Sequence, residues 1–226
     1  MPDTSKKVLF LDRDGPINLT GPKCFVSDPK FFYFTEGIKD ICKEAQEKGY
    51  RIAVITNQTG IGENLYTLAD MMRVHAYMLD EFSRDNIKID DILYVTKKND
   101  PYRKPNPGMF HQIKERWDLS DEDMHNSIAI GDRAKDAQAA LLAGVGNVLW
   151  YLPSQCLNNK YKPITQTLSN PAKDLEQIKK TIQKLFILSH LSDLQTASEP
   201  ARVAKSPFPV QHLSFFTHMK QIEGYL

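Results

Sequence analysis

Short runs of apolar residues alternate along this chain with longer segments whose apolar positions recur at helical spacing, and the runs end abruptly in polar clusters. Val8-Leu9-Phe10-Leu11, Arg51-Ile52-Ala53-Val54-Ile55-Thr56, Ile92-Leu93-Tyr94-Val95, Ser127-Ile128-Ala129-Ile130 and Asn147-Val148-Leu149-Trp150 read as five strands, the first of them buried on both faces. Between them, Ile38, Ile41, Cys42 and Ala45 predict a helix stopped by Gly49. Leu68, Met71, Met72, His75, Leu79 and Phe82 predict one inward face of a helix from about Thr67 to Arg84, with the methionines as core residues. Met109, Phe110, Ile113 and Trp117 predict a third inward face, and an Ala-rich helix runs from about Ala134 to Ala143. Strand-helix alternation with short connections implies an α/β fold: a doubly wound, Rossmann-like parallel sheet with helices on both faces.

The rest of the chain adds an expected N-capped helix beginning at Asn170-Pro171 after a short edge strand over 164–169, and its buried stripe is Leu175, Ile178, Ile182, Leu185 and Phe186. Residues 191–209 are rich in Ser, Ala, Glu and Pro and read as a linker, and His212 to Ile222 reads as a short helix. The domain expectation is therefore one catalytic domain over residues 1–189, followed by a linker and short extension over 190–226.

In an open parallel sheet, ligands bind beyond the carboxyl ends of the strands, and that is where the polar clusters stand. The first strand runs into Asp12-Arg13-Asp14-Gly15, the second into Thr56-Asn57-Gln58-Thr59-Gly60, the third into the basic loop ending Tyr102-Arg103-Lys104-Pro105, and the fourth into Gly131-Asp132-Arg133. Taken alone, Asp-Arg-Asp-Gly is also what a polar turn after a strand looks like. Brought to one edge of the sheet, the clusters unite three carboxylates, a hydroxyl and an ammonium. Carboxylates together with Mg²⁺ bind oxygen anions, so a phosphoryl group is the natural substrate.

These clusters resemble, in order and spacing, the four motifs of the haloacid dehalogenase (HAD) superfamily of phosphatases. The resemblance implies that Asp12 is the nucleophile forming an aspartyl-phosphate and that Asp14 is the general acid and base. It also implies that Thr56, Asn57, Arg103 and Lys104 hold substrate, that Asp12, Asp14 (through its backbone carbonyl) and Asp132 bind Mg²⁺, and that Asp136 supports the metal or Lys104. Within the superfamily, Asp12 to Asn18, Thr56 to Ile61 and Arg103 to Met109 look like histidinol-phosphate and heptose-bisphosphate phosphatases. Two positions depart from that pattern: the loop before Lys104 lacks the Cys and His zinc ligands usual there, and Pro16 replaces a usual Thr. Tyr102-Arg103-Lys104-Pro105 also resembles the 3′-phosphatase domain of polynucleotide kinases.

The gaps between motifs have no room for a large cap domain, and an open site suits a phosphate on something large. The expected substrate is accordingly a phosphoprotein, phosphotyrosine in particular, ahead of sugar or amino-alcohol phosphates and of a nucleic acid 3′ end. A phosphate-binding docking module without turnover is the alternative outside enzymology. Lys97, Lys98, Arg103, Arg133 and Lys135 form a candidate basic rim, while His75 and His111 read as structural or exposed. Trp150 and Tyr151 are placed either lining the site or packing.

Composition narrows this only a little. A net charge of +1 over 226 residues carries no global signal for nucleic acid or membrane, so nucleic acid ranks low as a partner. Three dispersed cysteines, Cys24, Cys42 and Cys156, fit neither a disulfide framework nor a zinc cluster. With no apolar run of membrane length and no signal-type leader, the expectation is a soluble, cytoplasmic protein.

Overall fold

A computed structural model describes residues 6–20 and 25–151 and the backbone of 212–216. Strands β1 (Val8–Leu11), β2 (Arg51–Asn57), β3 (Asp91–Val95), β4 (Ile128–Gly131), β5 (Asn147–Tyr151) and β6 (His212–Phe216) form one sheet in the order β3-β2-β1-β4-β5-β6. Every pairing is parallel, with Leu9 opposite Ile52 on one side and Ile128 on the other. Helices α1 (Ile38–Glu47), α2 (Leu68–Arg84), α3 (Gly108–Arg116), α4 (Asp121–His125) and α5 (Ala134–Leu142) fill the connections.

The pleat of β1 sorts the core into two layers, because successive side chains leave a strand on opposite faces. Leu9 and Leu11 pack with Ile38, Ile41, Cys42 and Ala45 of α1 and Val74, Met78 and Phe82 of α2. Val8 and Phe10 pack on the other face with Met109, Phe110 and Ile113 of α3, Met124 of α4 and Ala137, Ala139 and Ala140 of α5. The sheet is thus doubly wound, as the alternation predicted, with no large cap domain inserted among the described residues. The strand order reverses between β1 and β4, which makes the gap beyond their carboxyl ends the natural ligand site.

Three expectations need correction. The buried stripe of α2 is Met71, Val74, His75, Met78 and Phe82, whereas Leu68, Met72 and Leu79 are exposed. Both sets have helical spacing, and only the one sharing a side with Val74 and Met78 meets the sheet. Helix α4 escaped the periodicity reading because five residues are too few to show a repeat. It is marked instead by a capping box, with the Ser120 side chain accepting from the Asp123 N–H. Residues His212–Phe216, expected in a helix, extend the sheet as β6 beside β5. A run this short does not distinguish helix from strand by period.

Strand β6 belongs to the same compact unit as residues 1–156. The edge strand over 164–169, the helix after Asn170 and the linker over 191–209 lie outside the described residues. Among the described residues no helix is long and apolar enough to cross a membrane.

Candidate active site

Each sequence-predicted cluster sits where its strand ends. Asp12 follows β1, and its N–H donates across to the Ile130 carbonyl of β4 at 3.0 Å, so the turns after the two strands lie side by side. Asp132 follows β4, and Asp136 stands in the first turn of α5, where its carboxylate accepts from the Arg133 N–H at 3.0 Å. Carboxylate oxygens of Asp12, Asp132 and Asp136 all lie within 4.8 Å of one another.

Gly15 makes this approach possible. Its φ is +108°, and a Cβ there would stand 2.5 Å from the carboxylate carbon of Asp132. Only glycine tolerates both the backbone conformation and the contact.

Lys104 reaches this cluster from the loop after β3. The residue is 1% exposed, and Nζ meets three oxygens: the Ile55 carbonyl at 2.7 Å, Asp12 at 3.0 Å and Asp136 at 2.7 Å. Those three acceptors match the three N–H donors of an ammonium. Asn57 at the end of β2 fastens the loop, donating to the Lys104 carbonyl at 2.9 Å and accepting from the Lys104 N–H at 3.1 Å. The peptide between Lys104 and Pro105 is cis.

The electrostatics follow from this packing. Burial alone would raise the Asp12 carboxyl, but the Lys104 and Lys135 ammonium groups outweigh it and hold Asp12 below the usual carboxylate value. Burial opposes the charge of Lys104 as well, and Asp12 and Asp136 more than restore it, raising its pKa. Asp132 is pushed well above the ordinary range, by burial first and then by the charges of Asp12 and Asp136. Asp136 is raised by burial, with Lys104 opposing. Three clustered carboxylates outnumber the two lysines that act on them, Lys104 and Lys135, an excess of negative charge that a small hard cation would relieve, and the all-oxygen donor set suits Mg²⁺.

Asp14 lies apart from the three clustered carboxylates. Its oxygens accept from Arg13 Nη2 at 2.7 Å, Arg13 Nε at 3.2 Å, Asn18 Nδ2 at 3.2 Å and Gln58 Nε2 at 2.9 Å. Around it the chain makes a tight turn in which Gly15 N–H donates to Asn18 and Ile17 N–H to Arg13. Pro16, which has no N–H, sits between these two donors. Thr35 closes the turn by donating its hydroxyl to the Gly15 carbonyl at 2.8 Å. Thr56 is buried, and its hydroxyl oxygen accepts from Gln58 at 2.9 Å.

The structure therefore brings Asp12, Asp132, Asp136 and Lys104 into one cluster, with Asp14 and Thr56 linked beside it through Gln58. Asn57 is engaged with the Lys104 backbone, and Arg103 is half-buried on the same loop. In the candidate rim, Lys98 is paired with Glu63 at 2.9 Å. Tyr151 packs in the core. Four residues around Asp14 went unassigned in the sequence: Arg13, Asn18, Gln58 and Tyr66. Arg13 is the least expected, a fully buried arginine that also meets the Val26 carbonyl at 3.2 Å and His75 Nε2 at 3.5 Å. Gln58 stood in plain view one residue beyond Thr56-Asn57, but nothing in a sequence says which way its amide points.

The sequence profile of the family described as polynucleotide kinase 3 phosphatase matches residues 7–180. The D-glycero-alpha-D-manno-heptose-1,7-bisphosphate 7-phosphatase of Campylobacter jejuni is 40% identical over 144 residues, which is 63% of this chain and 81% of that protein. The D-glycero-beta-D-manno-heptose-1,7-bisphosphate 7-phosphatase of Vibrio cholerae is 33% identical over 172 residues, 72% of this chain and 86% of that protein. Among solved structures, the D,D-heptose 1,7-bisphosphate phosphatase of B. bronchiseptica, complexed with magnesium and phosphate, superposes with a TM-score of 0.59 at 27% identity, covering 64% of this chain and 80% of that one.

Proposed function

Because the chain belongs to the polynucleotide kinase 3 phosphatase family, we propose that it releases phosphate from a sugar phosphate of the heptose bisphosphate kind, with Asp12 as the group that takes the phosphoryl. Within the HAD superfamily it is a phosphoric monoester hydrolase of the capless branch related to heptose-bisphosphate and histidinol-phosphate phosphatases. The observation that carries the chemistry is the cluster itself: three carboxylates within 4.8 Å, with the Lys104 ammonium between Asp12 and Asp136. The substrate class rests on the relatives named above, all three of which act on heptose bisphosphates by name. They favour a sugar phosphate over the phosphotyrosyl protein that the open site alone suggested.

Asp12, Asp132 and the Asp14 backbone carbonyl would hold Mg²⁺, with Asp136 supporting the site, and the charge of the ion would offset that of the phosphate. Lys104 keeps Asp12 ionised, as a nucleophile must be at neutral pH. An Asp12 carboxylate oxygen attacks phosphorus as the bond to the leaving oxygen breaks, and that oxygen takes a proton from Asp14. Asp14, now a carboxylate, removes a proton from water. The water oxygen attacks phosphorus, the Asp12–phosphorus bond breaks and inorganic phosphate leaves. Thr56 presents a hydroxyl to the phosphate oxygens throughout.

Comparing kcat/KM for heptose 1,7-bisphosphate, simple sugar phosphates, a 3′-phosphorylated oligonucleotide and a phosphotyrosyl peptide, with Mg²⁺ and with EDTA, tests this. The highest value is expected for a sugar phosphate, with loss of turnover in EDTA. A higher value for the oligonucleotide or the peptide, or turnover indifferent to EDTA, would contradict it.

A further inference from the structure

Between Phe25-Val26, in the segment that follows β1, and the site runs a chain of contacts that the mechanism above leaves unused. Tyr66, immediately before the N-cap Thr67 of α2, is buried, and its hydroxyl lies 2.8 Å from Gln58 Oε1. Gln58 Nε2 in turn lies 2.9 Å from Asp14 Oδ2 and 2.9 Å from Thr56 Oγ1.

Only one amide orientation fits. The Tyr66 hydroxyl donates to the Gln58 oxygen, which turns the Gln58 nitrogen toward Asp14 and Thr56 as a donor. Burial pushes the Tyr66 hydroxyl up to about 12, so it keeps its proton. With a Thr56 lone pair taken by Gln58, the Thr56 hydroxyl hydrogen is free to turn to another acceptor.

Residues 25 and 26 reach Tyr66 and Arg13, at the two ends of this set of contacts. The Phe25 ring lies 4.9 Å from that of Tyr66, and the Val26 carbonyl accepts from Arg13 Nη2 at 3.2 Å. A Cβ at Gly60 would collide with the Tyr66 ring, so the Gly60 backbone also packs closely against it.

We propose that Tyr66 and Gln58 are positioning residues, seated by Phe25, that orient Asp14 as proton donor and the Thr56 hydroxyl as hydrogen-bond donor to the phosphate. The inference rests on the reading of Asp14 as the acid of the reaction. It distinguishes leaving groups: an alkoxide must be protonated as it departs, whereas p-nitrophenolate departs without help. A misplaced Asp14 therefore slows alkyl phosphates more than p-nitrophenyl phosphate. The effect belongs in kcat/KM, which reports steps up to the first irreversible one and excludes the later use of Asp14 as base.

The experiment measures kcat/KM on the best alkyl phosphate and on p-nitrophenyl phosphate for wild type, Tyr66→Phe, Phe25→Ala and Asp14→Asn, with circular dichroism to confirm folding. Phe25→Leu stands in should Phe25→Ala unfold. The expected result is a fall in the alkyl-to-aryl ratio of about tenfold in Tyr66→Phe and in the Phe25 variant, in the same direction as Asp14→Asn. A ratio within about twofold of wild type in either folded variant overturns the positioning role. A wild type inactive on both esters, or an unmoved ratio in Asp14→Asn, would instead bring down the reading of the reaction itself.

Discussion

Asn57 and Lys104 hold each other by two reciprocal hydrogen bonds, the amide nitrogen of Asn57 donating to the Lys104 carbonyl at 2.9 Å and its oxygen accepting from the Lys104 N–H at 3.1 Å. The end of one strand thereby sets the position of a lysine 47 residues further on. Asn57→Ala removes both bonds. With each worth about 1 kcal/mol, the expected loss of stability is about 2 kcal/mol in urea unfolding. Turnover should fall roughly 10–100-fold, the usual effect of losing a partner that orients an active group. Asn57→Asp keeps the acceptor and loses the donor, so it should fall between wild type and Asn57→Ala on both measures.

Gly15 carries a second prediction, because its conformation and its contact with Asp132 act in the same direction. Gly15→Ala imposes a side chain at positive φ, at a cost of about 1–3 kcal/mol. It also drives Asp132 away from Asp12. Urea unfolding should register the first effect. The second should appear as a higher Mg²⁺ concentration for half-maximal activity, and unchanged Mg²⁺ dependence would show that Asp132 does not bind the ion.

His75 gives stability a pH dependence. Burial first, and then the Arg13 guanidinium, push its pKa down from 6.5 to about 4, so the folded protein holds it neutral where the unfolded chain would protonate it. Between pH 6.5 and 4 the unfolded state binds more protons. Stability from this group is therefore complete above the upper value and is lost as pH falls through that window, by roughly 3 kcal/mol at most. His75→Gln keeps an acceptor for Arg13 and removes the titration. Its unfolding free energy should decline less than that of wild type from pH 7 to pH 4.5, and parallel declines would refute the assignment.

The sheet was legible because a strand buried on both faces must be apolar throughout, and β1, β2 and β4 announce themselves that way. The site was legible for a related reason: Asp12, Lys104 and Asp132 follow apolar strands and Thr56 stands near the end of one, all at one edge of the sheet. What escaped depended on partners rather than on periodicity. Leu68 and Met72 have helical spacing as good as that of Met71 and His75, and only the packed sheet decides which side is buried. Strand β6 exists by pairing with β5, a contact across more than 60 positions that no local pattern encodes. Arg13 looks like a solvated charge in sequence, yet it is buried because Asp14, the Val26 carbonyl and His75 surround its guanidinium. The two bonds of Asn57 to the Lys104 backbone likewise join positions that no local pattern relates.

The measurement closest to the central claim is the chemical identity of the group that carries the phosphoryl. Enzyme mixed with its sugar phosphate and Mg²⁺, quenched in acid within the first turnover and digested for mass spectrometry, should yield a phosphoryl adduct on the peptide containing Asp12. Neutral hydroxylamine should release the adduct, as expected of an acyl phosphate, and Asp12→Asn should yield neither adduct nor turnover. An adduct on a different residue, or an Asp12→Asn variant that turns over like wild type, would contradict the account.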